Sequence, residues 1–413
     1  MPSYYIQTLG CPKNEVDSQK IKAYLAQNSY SETKLADADL VIVNTCGFIE
    51  PAKAESIETI FLVNKKRKKN SKLIVTGCLA QRYQRELEKE MPEVDLVAPL
   101  EADFLKVVHE TKVSIKKSKI PKLDLLNYKR LPTFESFSYL KVAEGCDRSC
   151  AFCAIPSFRG RQRSRDINSI LDEVKNIDSN EIILTAQDIL RYGLDKRDFT
   201  LKDLLIRLSY LDKWVRLLYL YPASLSDELL DVILKTCVPY FDLSLQHVSS
   251  SVLKLMNRAG SKKGFEILID KIKQASPDAA IRASFIVGFP GETEEDHDEL
   301  MDFINNAPLD WIGLFLYSDE ESTKAYNYQN KVDPEVAKLR YQEAFDLASE
   351  KMAKARESLI GKKLLVLCDK VGQGRSFKEA PDIDGAIISE KLKKSNEFYE
   401  LIIKESLGVD LLA

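Results

Sequence analysis

Short apolar runs alternate with amphipathic stretches along most of this chain. Near the N-terminus, Tyr4–Leu9, Leu40–Asn44 and Leu73–Thr76 read as strands, and the helical patterns 14–28, 50–69 and 79–91 follow them in turn. Strand and helix alternating in this way predict a parallel sheet covered by helices. The pattern lapses from Val113 to Phe137, a Lys-rich stretch containing proline that reads as a linker. It resumes with strand candidates at Tyr139–Ala143, Glu181–Thr185, Val215–Leu220, Phe241–Leu245, Ile281–Val287 and Trp311–Tyr317, with helical patterns between them. Six β/α units over roughly 190 residues fall short of the eight of a closed barrel, so an open, partial (β/α)6 barrel is expected. A charged amphipathic helix near Pro334–Leu359 leads to strand-like runs at Leu364–Leu367 and Tyr399–Ile403. The fold class is therefore α/β. Residues 1–112 form an open parallel α/β domain, 113–137 a linker, 138–360 the partial barrel and 361–413 a small C-terminal β domain.

Composition changes this picture little. The 413 residues are 30% charged and 45% hydrophobic, with a net charge of -3 and a pI near 5.9, so no global basic field draws the chain onto nucleic acid. The N-terminus has no charged segment leading into an apolar one, and no run approaches the roughly 20 apolar residues of a membrane span. A soluble, cytoplasmic protein with no membrane contact is expected. The basic runs in the linker and at Lys65–Lys69 read as solvated surface, with a polyanion contact as the lesser alternative. Residues 361–413 hold nine Lys and Arg against nine Asp and Glu. A neutral C-terminal domain suits a protein ligand better than a phosphate backbone, so nucleic acid is not the expected main ligand.

The cysteines carry the candidate chemistry. Eight in a chain of this length are too few for a disulfide scaffold. Cys237 and Cys368 sit within apolar runs and read as small buried hydrophobes. The other six form two triplets. Cys146-Asp-Arg-Ser-Cys150-Ala-Phe-Cys153 follows the first strand of the second series. Three thiolates on one loop can hold three irons of a 4Fe-4S cluster and leave the fourth open to chelate a substrate. Structural zinc is the competing reading, but it needs four closed ligands, and none of the three histidines lies near this loop. Cys11, Cys46 and Cys78 each fall just past one of the first three strands, the edge at which open α/β sheets gather ligand sites. A second three-cysteine site would again leave one iron open.

The Cys-x3-Cys-x2-Cys spacing, with Phe152 before its last cysteine, resembles the signature of the radical S-adenosylmethionine superfamily. Thr-Leu-Gly-Cys11-Pro-Lys-Asn14, Asn-Thr-Cys46-Gly-Phe, Thr-Gly-Cys78-Leu-Ala-Gln and the run from Cys146 on through Ala-Ile-Pro-Ser-Phe-Arg-Gly160 resemble its methylthiotransferase family over essentially the whole chain. Cys11-Pro-Lys-Asn14 and Gly374-Arg-Ser-Phe-Lys-Glu-Ala-Pro-Asp-Ile-Asp-Gly385 are similar to the branch that modifies a ribosomal protein. The tRNA-modifying relatives usually carry Gly-Cys-Gln-Met-Asn in the first place. The resemblance implies two 4Fe-4S clusters, S-adenosylmethionine and a C-terminal TRAM domain that docks the substrate. Cys146, Cys150 and Cys153 would hold the cluster that generates a 5'-deoxyadenosyl radical, an oxidant that side chains cannot supply. Cys11, Cys46 and Cys78 would hold the cluster that carries sulfur. The implied substrate is small-subunit ribosomal protein twelve, at the β-carbon of an aspartate, with flavodoxin or ferredoxin as electron donor.

Other motifs are less specific. Phe289-Pro-Gly-Glu-Thr293 follows a strand and opens a helix, where backbone N–H groups around Gly291 could bind ligand oxygens. A tight turn that needs glycine is the alternative. Gln187 and Gln246 lie at strand ends on the face where barrels build active sites. With Phe152 and Gly291 they are the expected S-adenosylmethionine contacts. Arg282 begins a strand and reads as structural. Two local departures from the family pattern, Gln187-Asp-Ile-Leu190 for Gln-Asp-Thr and Ser244-Leu-Gln-His247 for Pro-Leu-Gln-His, fall near the expected pocket. The rival readings are a tRNA adenosine methylthiotransferase and a non-catalytic iron-sulfur electron carrier.

Overall fold

The computed structural model describes residues 1–100, 126, 130 and 135–413. The expected linker lies outside the described residues except for Leu126, Arg130 and 135–137. Among the described residues no helix is long and apolar enough to cross a membrane.

The N-terminal sheet contains β1 (Ser3–Thr8), β2 (Ser31–Glu32), β3 (Leu40–Thr45), β4 (Lys72–Gly77) and β5 (Leu96–Val97), all parallel, in the order β2-β1-β3-β4-β5. The central strand β3, Leu-Val-Ile-Val-Asn-Thr, is buried at every position. A strand covered on both faces must be apolar throughout. Leu40 and Ile42 pack under the helix Pro12–Gln27 with Ile21, Tyr24 and Leu25. Val41 and Val43 face the opposite way, toward Ile60 and Val63 of the helix Glu50–Lys66 and Leu79 and Leu87 beyond β4. The helical stretch expected at 79–91 is interrupted at Tyr83, giving Cys78–Arg82 and Gln84–Glu90. Two-residue strands such as β2 and β5 are too short to carry a periodic signal.

The second unit is an open arc of six parallel strands: β6 (Phe137–Lys141), β9 (Glu181–Thr185), β10 (Trp214–Leu217), β11 (Tyr240–Gln246), β12 (Ala280–Val287) and β13 (Trp311–Leu316). A bridge between Leu220 and Leu243 joins its two halves. A short antiparallel pair, β7 (Ala143–Glu144) with β8 (Arg163–Ser164), brackets the loop that carries Cys146. Alternation along each strand separates two environments. Leu140, Ile182, Leu184, Val215, Phe241, Ile281 and Phe285 enter the apolar core beneath the outer helices. The opposite face carries Tyr139, Lys141, Glu181, Arg216, Tyr240, Asp242, Arg282 and Trp311, and needs polar partners.

The C-terminal unit supplies many of them. Its six-stranded sheet, β14 (Lys363–Lys370), β15 (Gln373–Arg375), β16 (Ile387–Ile388), β17 (Phe398–Ile402), β18 (Glu405–Leu407) and β19 (Asp410–Leu412), follows the helix Pro334–Glu357. The connection from β15 to β16 enters the base of the arc, at the strand N-termini. Trp311 Nε1 donates to Lys378 O (2.6 Å), Tyr139 Oη to Pro381 O (3.0 Å), Arg216 Nη1 to Phe377 O (2.8 Å) and Tyr240 Oη to Asp384 Oδ2 (2.6 Å). Arg282 stands between Asp242 (3.6 Å) and Asp384 (3.4 Å), the structural place expected of it. Cys368 is buried in the C-terminal core and Cys237 packs against the barrel core, as small hydrophobes.

Glu181, fully buried, pairs with Arg216 (2.6 Å) and Arg375 (2.7 Å). Burial pushes its carboxyl up, and the two guanidinium charges outweigh burial and hold it below the usual carboxylate range. Removing one partner of a buried ion pair costs about 3 to 5 kcal/mol. Glu181→Gln is expected to lower the denaturant midpoint of the barrel by a corresponding amount. The folded state binds fewer protons at this group than the unfolded state does. Stability contributed here is therefore present above the ordinary glutamate range and lost as pH falls below it. Unfolding curves at descending pH check this, since Glu181→Gln should flatten that slope.

Candidate active site

The loop from Gly145 to Gly160 closes on itself: Cys146 N–H donates to Gly160 O (3.0 Å) and Cys153 N–H to Cys150 O (3.1 Å). Gly145, at φ +81°, is required because a Cβ there would meet Arg161 O at 2.1 Å. Arg148 anchors the loop to Asp188 (2.7 Å) and lies over the Tyr221 ring. Arg258 reaches Cys150 Sγ (3.4 Å). Burial first, then Asp188 and Cys150, push Cys146 up to about 11, and burial followed by Cys150 pushes Cys153 to about 12. Uncoordinated, these two are protonated at neutral pH, and a bound metal would displace their protons. A cleft of about 620 Å³ opens beside the loop, with Cys150, Arg148, Arg191, Tyr221, Lys254 and Arg258 in its wall.

Cys11, Cys46 and Cys78 stand together at the C-terminal edge of the N-terminal sheet. Cys11 caps the helix Pro12–Gln27, Cys46 follows β3 directly, and Cys78 opens the helix after β4. Strands β1 and β3 flank the point where the strand order reverses, the crevice that open α/β sheets use for ligands. At Gly10 a Cβ would lie 2.7 Å from Cys46 Cβ, so glycine is what lets the first two cysteine segments meet. Ser56 fixes the Cys46 backbone through bonds to its N–H (3.1 Å) and carbonyl (2.8 Å). Burial, then Cys78, push the Cys46 thiol up to about 12. Burial raises Cys78 as well, against the pull of Arg159. At Cys11 burial is outweighed by Lys13 and Arg159, and the thiol falls below its ordinary value.

Each triplet thus gathers three interacting, unpaired sulfurs, a donor set suited to three irons of a 4Fe-4S cluster. Among the described residues no group of three or more His, Cys, Asp or Glu side chains is placed to hold a single metal ion.

The two triplets meet through a buried charge network. Cys78 packs against Ala154, Ile155 and Phe158, immediately after Cys153. Arg159 Nη2 donates to Cys78 Sγ (3.0 Å) and Asn14 Oδ1 (3.0 Å), while Nη1 faces Glu144 (2.9 Å) and Asp17 (3.4 Å). Lys141 bonds both of those carboxylates. Glu144 also accepts from Gln187 Nε2 (2.6 Å). Burial would raise Glu144, but Arg159 and Lys141 hold it far below the carboxylate range. Sequence reasoning missed Asp17, Lys141, Glu144 and Arg159. The available signal was charge where a buried strand and its flanks should be apolar, at Lys141 and Glu144.

Gln187 stands beside this network, and its Oε1 is buried without a hydrogen-bond partner, an acceptor left over for a ligand. Gln246 ends β11 at φ +74°, where the register shifts. Phe152 packs edge-on to Phe289 in an apolar group with Val252 and Met256. Around Gly291 the backbone amides already have partners within the protein. Gly291 N–H donates to Asn330 O (2.8 Å), while the N–H groups of Gly288 and Phe289 donate to the Glu292 carboxylate (2.8 and 3.2 Å). Thr293 and Asp296 cap the following helix reciprocally. The local donors are taken by Glu292 within the turn and by Asn330 from the segment beside it.

Known proteins resemble the chain along its whole length. Residues 3–99 match the model described as Uncharacterized protein family UPF0004, 140–304 the Radical SAM superfamily and 360–413 the TRAM domain. The ribosomal protein uS12 methylthiotransferase RimO of Thermotoga sp. (strain RQ2) is 41% identical over 98% of both chains. The protein of the same name from Desulforamulus reducens is 40% identical over 100% of this chain and 99% of its own. Among solved structures, the radical S-adenosylmethionine methyltransferase TsrM from Kitasatospora setae shares the fold, at 13% identity and a TM-score of 0.50 over 79% of this chain and 77% of that one. From full-length identity and the order of its three segments, the chain belongs to the RimO family of radical S-adenosylmethionine methylthiotransferases, iron–sulfur enzymes that use S-adenosylmethionine.

Proposed function

We propose that this enzyme adds a methylthio group to the β-carbon of an aspartate in ribosomal protein uS12. It uses two 4Fe-4S clusters, one on Cys146, Cys150 and Cys153 and one on Cys11, Cys46 and Cys78. The observation that carries this reading is the meeting of two three-cysteine sets across one buried network, with Arg159 on the barrel loop touching Cys78 of the other domain. Each set offers three cysteines, which would leave one iron of its cluster open. Bound there, the clusters and S-adenosylmethionine would supply a carbon-centred radical at one site and transferable sulfur at the other.

The chain's own residues position and shield. Gln187 holds Glu144 through its amide nitrogen and keeps its buried oxygen as acceptor for S-adenosylmethionine. Gln246 and the ring of Phe152 border the same end of the barrel. Burial of Cys46, Cys78 and Cys146 keeps water from the sulfurs. The basic wall of the cleft beside Cys150 suits an acidic electron donor of the flavodoxin or ferredoxin type. The neutral C-terminal segment, and relatives that are uS12 methylthiotransferases, favour a protein substrate over tRNA.

Anaerobic reconstitution with iron and sulfide should load about eight irons per chain. Replacing Cys11, Cys46 and Cys78 together by alanine, or Cys146, Cys150 and Cys153 together, should each leave about four. Eight irons surviving either replacement would remove these residues as ligands. With S-adenosylmethionine, reductant and a uS12 peptide spanning the target aspartate, mass spectrometry should find a product heavier by about 46 Da, with 5'-deoxyadenosine released. Release of 5'-deoxyadenosine while the peptide stays unmodified, together with methylthiolated tRNA in a parallel incubation, would overturn the substrate assignment.

A further inference from the structure

Arg159 is anchored in one domain and spends its side chain in the other. Its helix, Ile155–Arg159, begins two residues after Cys153, and the next residue, Gly160, is the one that accepts from Cys146 N–H. The backbone therefore belongs to the barrel cysteine loop. The guanidinium is 3% exposed and lies against the N-terminal triplet, with Nη2 3.0 Å from Cys78 Sγ. The carboxylates of Glu144 and Asp17 occupy Nη1, with Lys141 bridging them, so the fork is held with its other nitrogen aimed at the sulfur. Asn14, buried and fixed by bonds to Leu9 O (2.9 Å) and Thr45 O (3.1 Å), takes the remaining reach of Nη2. The other cationic neighbour of this triplet is Lys13, whose ammonium lies over the Tyr219 ring.

We propose that Arg159 is the residue that sets the reduction potential of the N-terminal cluster. The proposal rests on the two-cluster reading above. Hydrogen bonds to ligand sulfur and nearby charge are the levers by which a protein tunes such a centre. Reduction adds one negative charge to a buried site that already carries three thiolates. A guanidinium fixed 3.0 Å from one of them favours the reduced form, and a low local dielectric strengthens the effect. The barrel triplet has its own arginine, Arg258, at 3.4 Å from Cys150 Sγ. Because Arg159 makes its sulfur contact to Cys78, its influence falls on one cluster and leaves the other unchanged.

The test uses full-length chains reconstituted with iron and sulfide and titrated electrochemically with EPR detection. In a parent carrying alanine at 146, 150 and 153, so that only the N-terminal cluster remains, Arg159→Met should lower the midpoint potential by at least a tenfold change in the reduction equilibrium, about 59 mV for one electron. Arg159→Lys, which keeps charge but not the fork, should fall between the two. In the complementary parent with alanine at 11, 46 and 78, Arg159→Met should leave the barrel cluster's potential where it was. Equal N-terminal potentials with and without the guanidinium, or equal shifts in both clusters, would overturn the proposal. If Arg159→Met binds less iron than its parent, Arg159→Gln decides, because it keeps an N–H donor and loses the charge: a lowered potential supports the role and an unchanged one ends it. A parent that holds no N-terminal cluster at all would instead sink the two-cluster reading, and this inference with it.

Discussion

The arrangement of this molecule hangs on four buried charges, Asp17, Lys141, Glu144 and Arg159, packed where the N-terminal sheet meets the barrel. Two cations and two anions taken out of water are costly, and such a group is stable only when every member is satisfied. Here each carboxylate meets both cations, and the remaining donors go to Asn14 and the Cys78 sulfur. Lys141, Glu144 and Arg159 belong to the barrel, so Asp17, together with Asn14 and Cys78, is what the N-terminal domain brings to the pairing. The network therefore fixes orientation, and that orientation turns the C-terminal edges of two separate sheets toward each other. Cys78 on one edge thereby meets the loop that follows Cys153 on the other.

A second buried contact secures the same junction from the rim. Glu320, on the loop after β13, is 1% exposed and pairs with Lys53 (3.2 Å) and Arg82 (2.9 Å) of the N-terminal domain. Ser318 accepts from Glu50 N–H (3.0 Å) on the same loop. Arg82 follows Cys78 by one helical turn, so the ion pair steadies the segment on which that cysteine stands. The site is held both at its centre and at its edge.

Much of this was legible in the chain. Apolar runs located the strands because a central strand covered on both faces has little freedom to be polar. The six barrel strands lie within a few residues of where the alternation put them. The cysteines were legible because sulfur at strand ends has few structural uses. The charge network was not, since its members are separated by up to 142 residues and each alone reads as surface charge. At Phe289–Thr293 the choice between ligand-binding amides and a tight turn depends on a local detail. Exposed N–H groups are common at helix starts, but here Glu292 folds back and consumes them. One sequence cannot say which partner an amide will find.

The C-terminal domain illustrates the difference between a motif and its use. The run Arg375 to Asp384 resembles a family feature of a domain expected to dock substrate. In the structure it enters the base of the barrel, at the strand N-termini, and bonds Trp311, Tyr139, Arg216 and Tyr240. An arc of six strands leaves its interior open at the bottom, where a closed barrel would fill it with layers of its own side chains. The interior strand positions here are aromatic and charged, and they need a polar plug with main-chain carbonyls to offer. That plug comes from the opposite end of the barrel to the cysteines. The surface this domain leaves to solvent includes Leu365, Phe398 and Ile402 on β14 and β17, well separated in the fold from the strand ends that gather the sulfurs. Its contribution to catalysis thus begins with the integrity of the barrel, since without a filled base Glu181 and Arg216 would face water and the strands that carry the site would lose their anchor.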